Sequence, residues 1–460
     1  MTSNLIDRLV ARLRSIGQAS VEIAKIIQLT GGASRQMWLV HTTLDGDWRR
    51  FVLRMDHPSD PNPEANAQEA RVLAAAHAAG VATPAVLDHS QEPEILGTPY
   101  LILSYVEGET LAPRILKDDR YATARQRLPA QLGEAIGRIH GLPVEGLGLE
   151  SPTDPVQSLV DSYQDNGVDR PALLLGLREL ARRTPQAAPR QTLVHGDFRL
   201  GNLMVDASGL AAVLDWELTH LGDPIEDLGY VCMRAWRFGG PGRVAGVGDV
   251  SEFLDAYEAQ TGFRPTEEQL TWWEARATAW WGIGCIRQMQ RAVPGHTNEL
   301  ELLAIGRRTA EQEHDFLQLL YPEVQPADMT PGQTDVAPQS TGQRVNLFTE
   351  PTARELFTGL ESYLTQDLIQ GEGEPNRFKA RVAKNIVGLL RREYHQGPEA
   401  NQWYARALHE LGAEDEKGLA QRVQELADTS ADSDETRRIV AVLKTAARLR
   451  LEISNPKYLL

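Results

Sequence analysis

Apolar residues recur in two rhythms along this chain, and the change of rhythm divides it. Leu5, Leu9, Val10 and Leu13 stand at helical spacing and predict an amphipathic opening helix over 5–16. Short apolar runs follow at 24–29, 37–40, 49–54, 84–89 and 100–106, broken by a glycine-bearing turn at 30–34 and by a helix predicted over 63–79. Such runs read as five strands of one lobe. From 125 to 140 the helical rhythm returns, with Leu128, Leu132, Ile136 and Ile139 on one face. Three more short apolar runs, 193–194, 203–205 and 213–214, read as strand, loop, strand, turn, strand of one small sheet. Helices are then predicted at 250–261, 266–289 and 298–320.

Periodicity disappears from Pro322 to Gln343, where Pro322, Pro326, Pro331 and Pro338 lie among polar residues, so this stretch reads as an extended linker between two folding units. Beyond it five more helices are marked by Leu356, Leu360, Leu364 and Leu368; by Phe378, Val382, Ile386 and Leu389; by Trp403, Leu408 and Leu411; by Leu419, Val423 and Leu426; and by Ile439, Leu443, Ala446 and Leu449. The expected domains are 1–106, 107–321, a linker 322–349 and an all-α bundle 350–460. The bundle holds no cluster of acids, histidines or cysteines that suggests chemistry. Its expected role is docking on the preceding domains, covering a substrate groove, or oligomerisation.

At 460 residues the chain exceeds one hydrophobic core. Its formal charge of -16 argues against nonspecific nucleic-acid binding, which needs a basic surface. Cys232 and Cys285 have no CxxC spacing, and both read as buried small apolar residues rather than metal ligands or a disulfide. No segment has the length of a membrane span or the layout of a signal peptide, so a soluble, cytoplasmic protein without membrane partners is expected.

The chemistry concentrates in Leu193–Val205 and Val213–Glu217. There Asp197 and Asn202 stand five residues apart and Asp215 follows, all at the ends of apolar runs. Phosphoryl transfer needs a carboxylate to orient and deprotonate the attacking hydroxyl, and hard oxygen ligands for the Mg²⁺ of a nucleotide. Asp197 suits the first task, and Asn202 with Asp215 the second. A tight turn and a strand-end cap would explain any one of them alone. Adjacent Gly31 and Gly32, with Ser34, would let backbone amides cover phosphates, although a plain hairpin explains that turn equally well.

The order of these pieces resembles the kinase pattern of a catalytic-loop Asp, an Asn five residues on and a later metal-binding Asp. With His195-Gly196-Asp197, Asp215-Trp216-Glu217 and Gly222-Asp223-Pro224-Ile225-Glu226-Asp227, it is similar to the aminoglycoside phosphotransferase and choline kinase family. That resemblance implies an α+β, bilobal protein-kinase-like fold: an antiparallel-sheet lobe, a helical lobe, then a separate helical bundle. It also implies that Arg54, where the family pattern has Lys, grips nucleotide phosphates and pairs with Glu69. Backbone near Ser104 and Val106 would meet the adenine edge, a contact that does not choose ATP over GTP. His195, Glu217 and Asp227 would support the catalytic segment.

Within the family, Leu193–Asn202, Leu214–Glu217 and the Leu53-Arg54 strand end look closest to the phosphotransferase domain associated with acyl-CoA dehydrogenases. This resemblance covers about residues 20–320 and implies a 4-hydroxyacyl-CoA as hydroxyl acceptor. The C-terminal module resembles an uncharacterised helical family that accompanies such enzymes. An aminoglycoside or amino-alcohol acceptor stays open, as does a nucleotide-binding pseudoenzyme in which the bundle does the work. Two further features stay open: Trp272, Trp273, Trp280 and Trp281 are core or an apolar substrate wall, and Arg234, Arg237, Arg243, Arg287, Arg291, Arg307 and Arg308 are carrier-phosphate ligands or solvated faces. His140, at a predicted helix end, reads as a carbonyl cap or a core residue.

Overall fold

The computed structural model describes residues 2–29, 35–151, 154–292, 300–329, 347–348, 350–363 and 377–460. The chain forms two compact units, Met1–Pro152 with Ala187–Thr266, and Thr153–Gln186 with Glu267–Leu460.

In the first unit, β1 (Val21–Leu29), β2 (Arg35–Leu44), β3 (Asp47–Asp56), β4 (Val86–Ser90) and β5 (Tyr100–Ser104) make one antiparallel sheet in the order β1-β2-β3-β5-β4. The β2–β3 turn is two residues long, and both Asp45 (φ 49°) and Gly46 (φ 89°) take left-handed backbone, which matches the twist of the flanking strands. Phe51, Leu53 and Met55 alternate inward along β3, and Tyr100 and Ile102 do so along β5. The opening helix Thr2–Ser15 adds Leu9 and Leu13 to the same core, and Arg12 of that helix pairs with Asp88 at 2.7 Å. Between β3 and β4 runs the helix Pro63–Ala78, with Pro63 in its first turn and Asn62 Oδ1 capping the Ala65 amide at 3.1 Å.

The rest of this unit is helical around two hairpin-like pairs. Helices Ala122–His140 and Val250–Thr261 pack closely because Gly133 has no side chain: a Cβ there would lie 2.2 Å from the Phe253 carbonyl oxygen. The single small sheet expected around the acid-bearing loops is instead two. β6 (Thr192–Val194) pairs with β9 (His220–Gly222), and β7 (Leu203–Asp206) pairs with β8 (Gly209–Val213). Helix Ile225–Cys232 follows and is buried along its whole length.

The second unit is helical in its described residues: Gln157–Asp165, Pro171–Arg182, Glu267–Ala292, Leu300–Gly306, Thr309–Leu320, Ala353–Ser362, Arg377–Glu410, Glu416–Glu425 and Asp434–Ser454. The helix expected over 298–320 is broken at Arg307-Arg308. The two helices expected around Ile386 and Trp403 are one, which runs through Pro398. Leu364 and Leu368 lie outside the described residues, as do 330–346 of the expected linker.

The division into compact units does not fall at that linker. Buried Lys444, on the last long helix, donates to the carbonyls of Tyr321 (2.6 Å) and Val324 (2.8 Å), capping the end of helix Thr309–Leu320. Glu313 accepts from both Arg170 (2.6 Å) and Arg450 (3.3 Å), and Arg450 also bonds Glu416. These buried pairs join the C-terminal helices to helices that precede the proline-rich stretch. Trp272 and Trp273 are core residues here, with the Trp272 indole donating to the Leu180 carbonyl at 3.1 Å. Arg307 and Arg308 are tied to Glu393 (3.0 Å) and Glu311 (3.1 Å) rather than displayed to solvent. Cys232 and Cys285 are buried, and no helix among the described residues is long and apolar enough to cross a membrane.

Candidate active site

Everything in the candidate site belongs to the first unit. β6 ends at Val194, and His195 turns the chain into the loop that carries Asp197. Gly196 takes φ 82°, and a Cβ on it would meet the Leu218 carbonyl oxygen at 2.6 Å, so glycine is required on both counts. Two bonds then pull the loop onto the residue before Asp215: the His195 Nε2–H donates to the Leu214 carbonyl (3.1 Å), and the Leu214 amide donates to the Asn202 carbonyl (2.8 Å). Asp197, Asn202 and Asp215 are thereby gathered from three segments. Asp215 itself takes φ 63°, a left-handed conformation that Asp and Asn tolerate better than most residues.

Asp197 is held on both carboxylate oxygens. Its Oδ1 accepts from Arg199 Nε (2.8 Å) and from the Tyr230 hydroxyl (2.7 Å), and its Oδ2 accepts from Asn202 Nδ2 (2.5 Å). The Asn202 amide nitrogen is spent on this contact, which leaves its Oδ1 as the group able to meet a cation. Burial pushes the Asp215 carboxyl up to about 7, reinforced by the charges of Glu217, Asp197 and Glu69. An acid crowded in this way is stabilised by a positive ion.

Beneath the loop, Asp227 accepts from the His195 amide (2.7 Å), the Gly196 amide (2.9 Å) and His140 Nε2 (3.0 Å). Burial opposes its charge, but the His140 hydrogen bond and the other donors outweigh that, and the carboxyl sits below its usual range. His140 neither caps a carbonyl nor merely packs. Its Nδ1 accepts from the Tyr257 hydroxyl at 3.0 Å, so it bridges helix Val250–Thr261 to the acid that holds the Gly196 turn. Burial lowers the His195 imidazole, which keeps it neutral, and Nδ1 accepts from the Asp197 amide at 3.2 Å. Trp216 lies against that ring at 4.9 Å between centroids.

On the sheet side, Arg54 and Glu69 form an ion pair, and Glu69 is fully buried on the inner face of its helix. Arg35, which carries no motif signal, bonds the same carboxylate and also Asp56 (3.2 Å). Burial would raise the Glu69 carboxyl, but Arg54 and Arg35 together hold it low. At the edge of β5 the Ser104 amide donates to the Ala85 carbonyl (2.8 Å) and the Ser104 hydroxyl accepts from the Ala85 amide (2.9 Å), so the Ser104 amide is already engaged within the lobe. Gly31, Gly32 and Ser34 lie outside the described residues.

Several contributors gave no motif signal. Tyr230 could have been found: three residues after Asp227 on a helix, it shares that acid's face. Arg199, two residues after Asp197, stacks its guanidinium over Trp236 at 4.5 Å, with Phe238 a further 6.2 Å away between ring centroids. The arrangement can hold a hydroxyl against a carboxylate, with cations and a cation-seeking acid pair on either side.

Residues 25–273 match the phosphotransferase enzyme family known as APH. The chain belongs to that family. In this phosphotransferase the C-terminal residues 371–458 match a domain of unknown function, DUF6285. Mouse acyl-CoA dehydrogenase family member 10 is 30% identical over 233 residues, which is 47% of this chain and 21% of the mouse protein. Rat acyl-CoA dehydrogenase family member 11 is 28% identical over 199 residues, 40% of this chain and 25% of the rat protein, so the match spans a quarter or less of these relatives. Among solved structures, a provisionally named aminoglycoside phosphotransferase from Ralstonia eutropha JMP134 aligns with TM-score 0.56 at 21% identity, covering 69% of this chain and 98% of that one. That likeness shows the fold: a kinase-like antiparallel sheet followed by helices.

Proposed function

We propose that this phosphotransferase moves the γ-phosphoryl group of magnesium-bound ATP, or GTP, to the hydroxyl of a 4-hydroxyacyl-CoA thioester. The observation that carries the phosphoryl-transfer reading is the Asp197 carboxylate, fixed by Arg199, Tyr230 and Asn202 beside the crowded acid Asp215. Asn202 Oδ1 and the Asp215 carboxylate are the oxygen donors that fit magnesium. Bound there, the ion would neutralise phosphate charge.

Asp197 orients the acceptor hydroxyl and takes its proton as the new O–P bond forms and the bond to the nucleoside diphosphate breaks. Its three donors fix the carboxylate's orientation before substrate arrives, and positioning of this kind is most of what phosphoryl transfer asks of a protein. Arg54 orients the nucleotide from the sheet side. The Asp227 brace, anchored by His140, keeps the Gly196 turn and hence Asp197 in register.

Two observations favour an acyl-CoA over an amino sugar. The relatives named above are acyl-CoA dehydrogenase family members, and the side chains next to Asp197 are cationic and aromatic: Arg199 over Trp236, then half-exposed Phe238. A polycationic acceptor would be better served by acids there. An aminoglycoside or amino-alcohol acceptor is the second reading, since the fold neighbour carries that name.

The test is an acceptor panel with magnesium and ATP or GTP, covering 4-hydroxyacyl-CoAs, free hydroxy acids and aminoglycosides, with product read by mass. Phosphorylated hydroxyacyl-CoA is expected. Asp197→Ala should keep nucleotide affinity and lose about 10²–10⁴-fold in turnover, the usual range for a proton-accepting group. Undiminished turnover in that variant overturns the assignment, and product from aminoglycosides alone overturns the acceptor.

A further inference from the structure

Two guanidinium groups meet one carboxylate in the sheet lobe, where the family pattern needs one pair. Arg35 Nη1 and Arg54 Nη2 both reach Glu69 Oε2, and Arg35 Nε also reaches Asp56 Oδ1 at 3.2 Å. Glu69 Oε1, Arg54 Nε and Nη2, and Asp56 Oδ1 are buried and make no aligned hydrogen bond among the described residues, so the Arg54–Glu69 and Arg35–Asp56 contacts are ion pairs only. The groups for a bidentate Arg54–Glu69 fork are therefore present, but the fork is not made. Arg35 occupies the shared oxygen and supplies half of the positive charge.

The local charge sum makes the same point. Arg35 and Arg54 balance Glu69 and Asp56. Without Arg35 the two carboxylates would compete for Arg54, and a planar guanidinium facing a free carboxylate edge closes into the fork, which is its strongest geometry. Arg54 would then be held back in the sheet.

We infer that Arg35 is a positioning residue for nucleotide binding: by neutralising Glu69 and Asp56 it keeps Arg54 from closing on Glu69 and leaves that guanidinium available to phosphate oxygens. This rests on the kinase reading given above. Arg35 suits the task by location, because it is the first residue of β2 and follows the glycine pair Gly31-Gly32 in sequence. Its backbone pairs with Asp56, and Asp56 in turn holds the Asn62 amide (2.9 Å) at the start of the helix that carries Glu69.

The experiment measures magnesium–ATP affinity by calorimetry, and the nucleotide KM where turnover is available. It compares the full-length wild-type chain with Arg35→Gln, Glu69→Gln, the double variant and Arg35→Lys. Arg35→Gln should weaken nucleotide binding about tenfold, within the coupling range for contacting charged groups. Arg35→Lys, which keeps the charge without the fork, should recover part of the loss and covers the case in which the glutamine variant does not fold. In the Glu69→Gln background Arg35→Gln should cost little more, because Arg35 acts through that carboxylate. Losses that multiply in the double variant, or unchanged affinity in Arg35→Gln and Arg35→Lys, overturn the inference. Failure of the wild-type chain to bind magnesium–ATP overturns the kinase reading instead.

Discussion

The crowding of Asp215 makes its charge measurable as a pH-dependent stability. Its carboxyl titrates at about 7 in the folded chain against 3.8 for the free side chain. Between those values the folded state holds a proton that the unfolded state has released, so stability falls as pH rises from 4 to 7. A displacement of about three units at 1.36 kcal/mol each is worth about 4 kcal/mol, fully present at pH 8 as a penalty and absent at pH 3. Asp215→Asn removes the charge at the same size. Asn also accepts the φ of 63°, which alanine would not, so the substitution adds no backbone strain.

The variant should therefore match wild type at pH 4 and exceed it at pH 8 in the absence of magnesium and nucleotide. With roughly 2–4 °C per kcal/mol for a domain of 150–250 residues, the gap at pH 8 is on the order of 10 °C. Parallel thermal unfolding of the two proteins from pH 4 to 8 reads it, and titrating groups remote from Asp215 cancel in the difference. A gap that does not widen with pH would refute the claim that Asp215 is a destabilised anion. Magnesium–nucleotide at pH 8 should raise the wild type more than the variant.

Two further substitutions probe the scaffold beneath the loop. Gly196→Ala places a Cβ 2.6 Å from the Leu218 carbonyl on a residue at φ 82°, and should cost about 1–3 kcal/mol in thermal or denaturant unfolding, together with most turnover. His140→Phe fills similar space but strips Asp227 of its side-chain donor, and should destabilise by about 1.5–3 kcal/mol, with the amides of residues 195–196 exchanging hydrogen faster. If either variant unfolds like wild type, the brace is not what holds the turn.

How much of this was legible beforehand differs from element to element. The strands of the sheet lobe were legible because each is a short apolar run bounded by turn residues, and helix Val250–Thr261 because its periodicity stops at Gly262, left-handed at φ 69°. Helix ends were less legible: nothing local warns that 298–320 breaks at Arg307-Arg308, or that Pro398 is carried inside one long helix. The acid-bearing motifs were visible by their spacing alone. Arg35 was not, because its meaning depends on a helix residue thirty-four positions away.

By itself the sequence determined the period of each element and the chemistry present in it: a glycine where the backbone must turn left, an acid, an amide and a second acid at the ends of apolar runs. These are local properties, set by sterics and side-chain type. Only the tertiary structure decided which distant groups share a charge. It set two arginines on Glu69, a tyrosine from another helix on Asp197 and a buried histidine on Asp227, and it tied the C-terminal helices by Lys444 and Arg450 to helices that precede the proline-rich stretch. Burial and pairing are relations between segments, and a linear pattern records them only where both partners happen to fall on one face of one element.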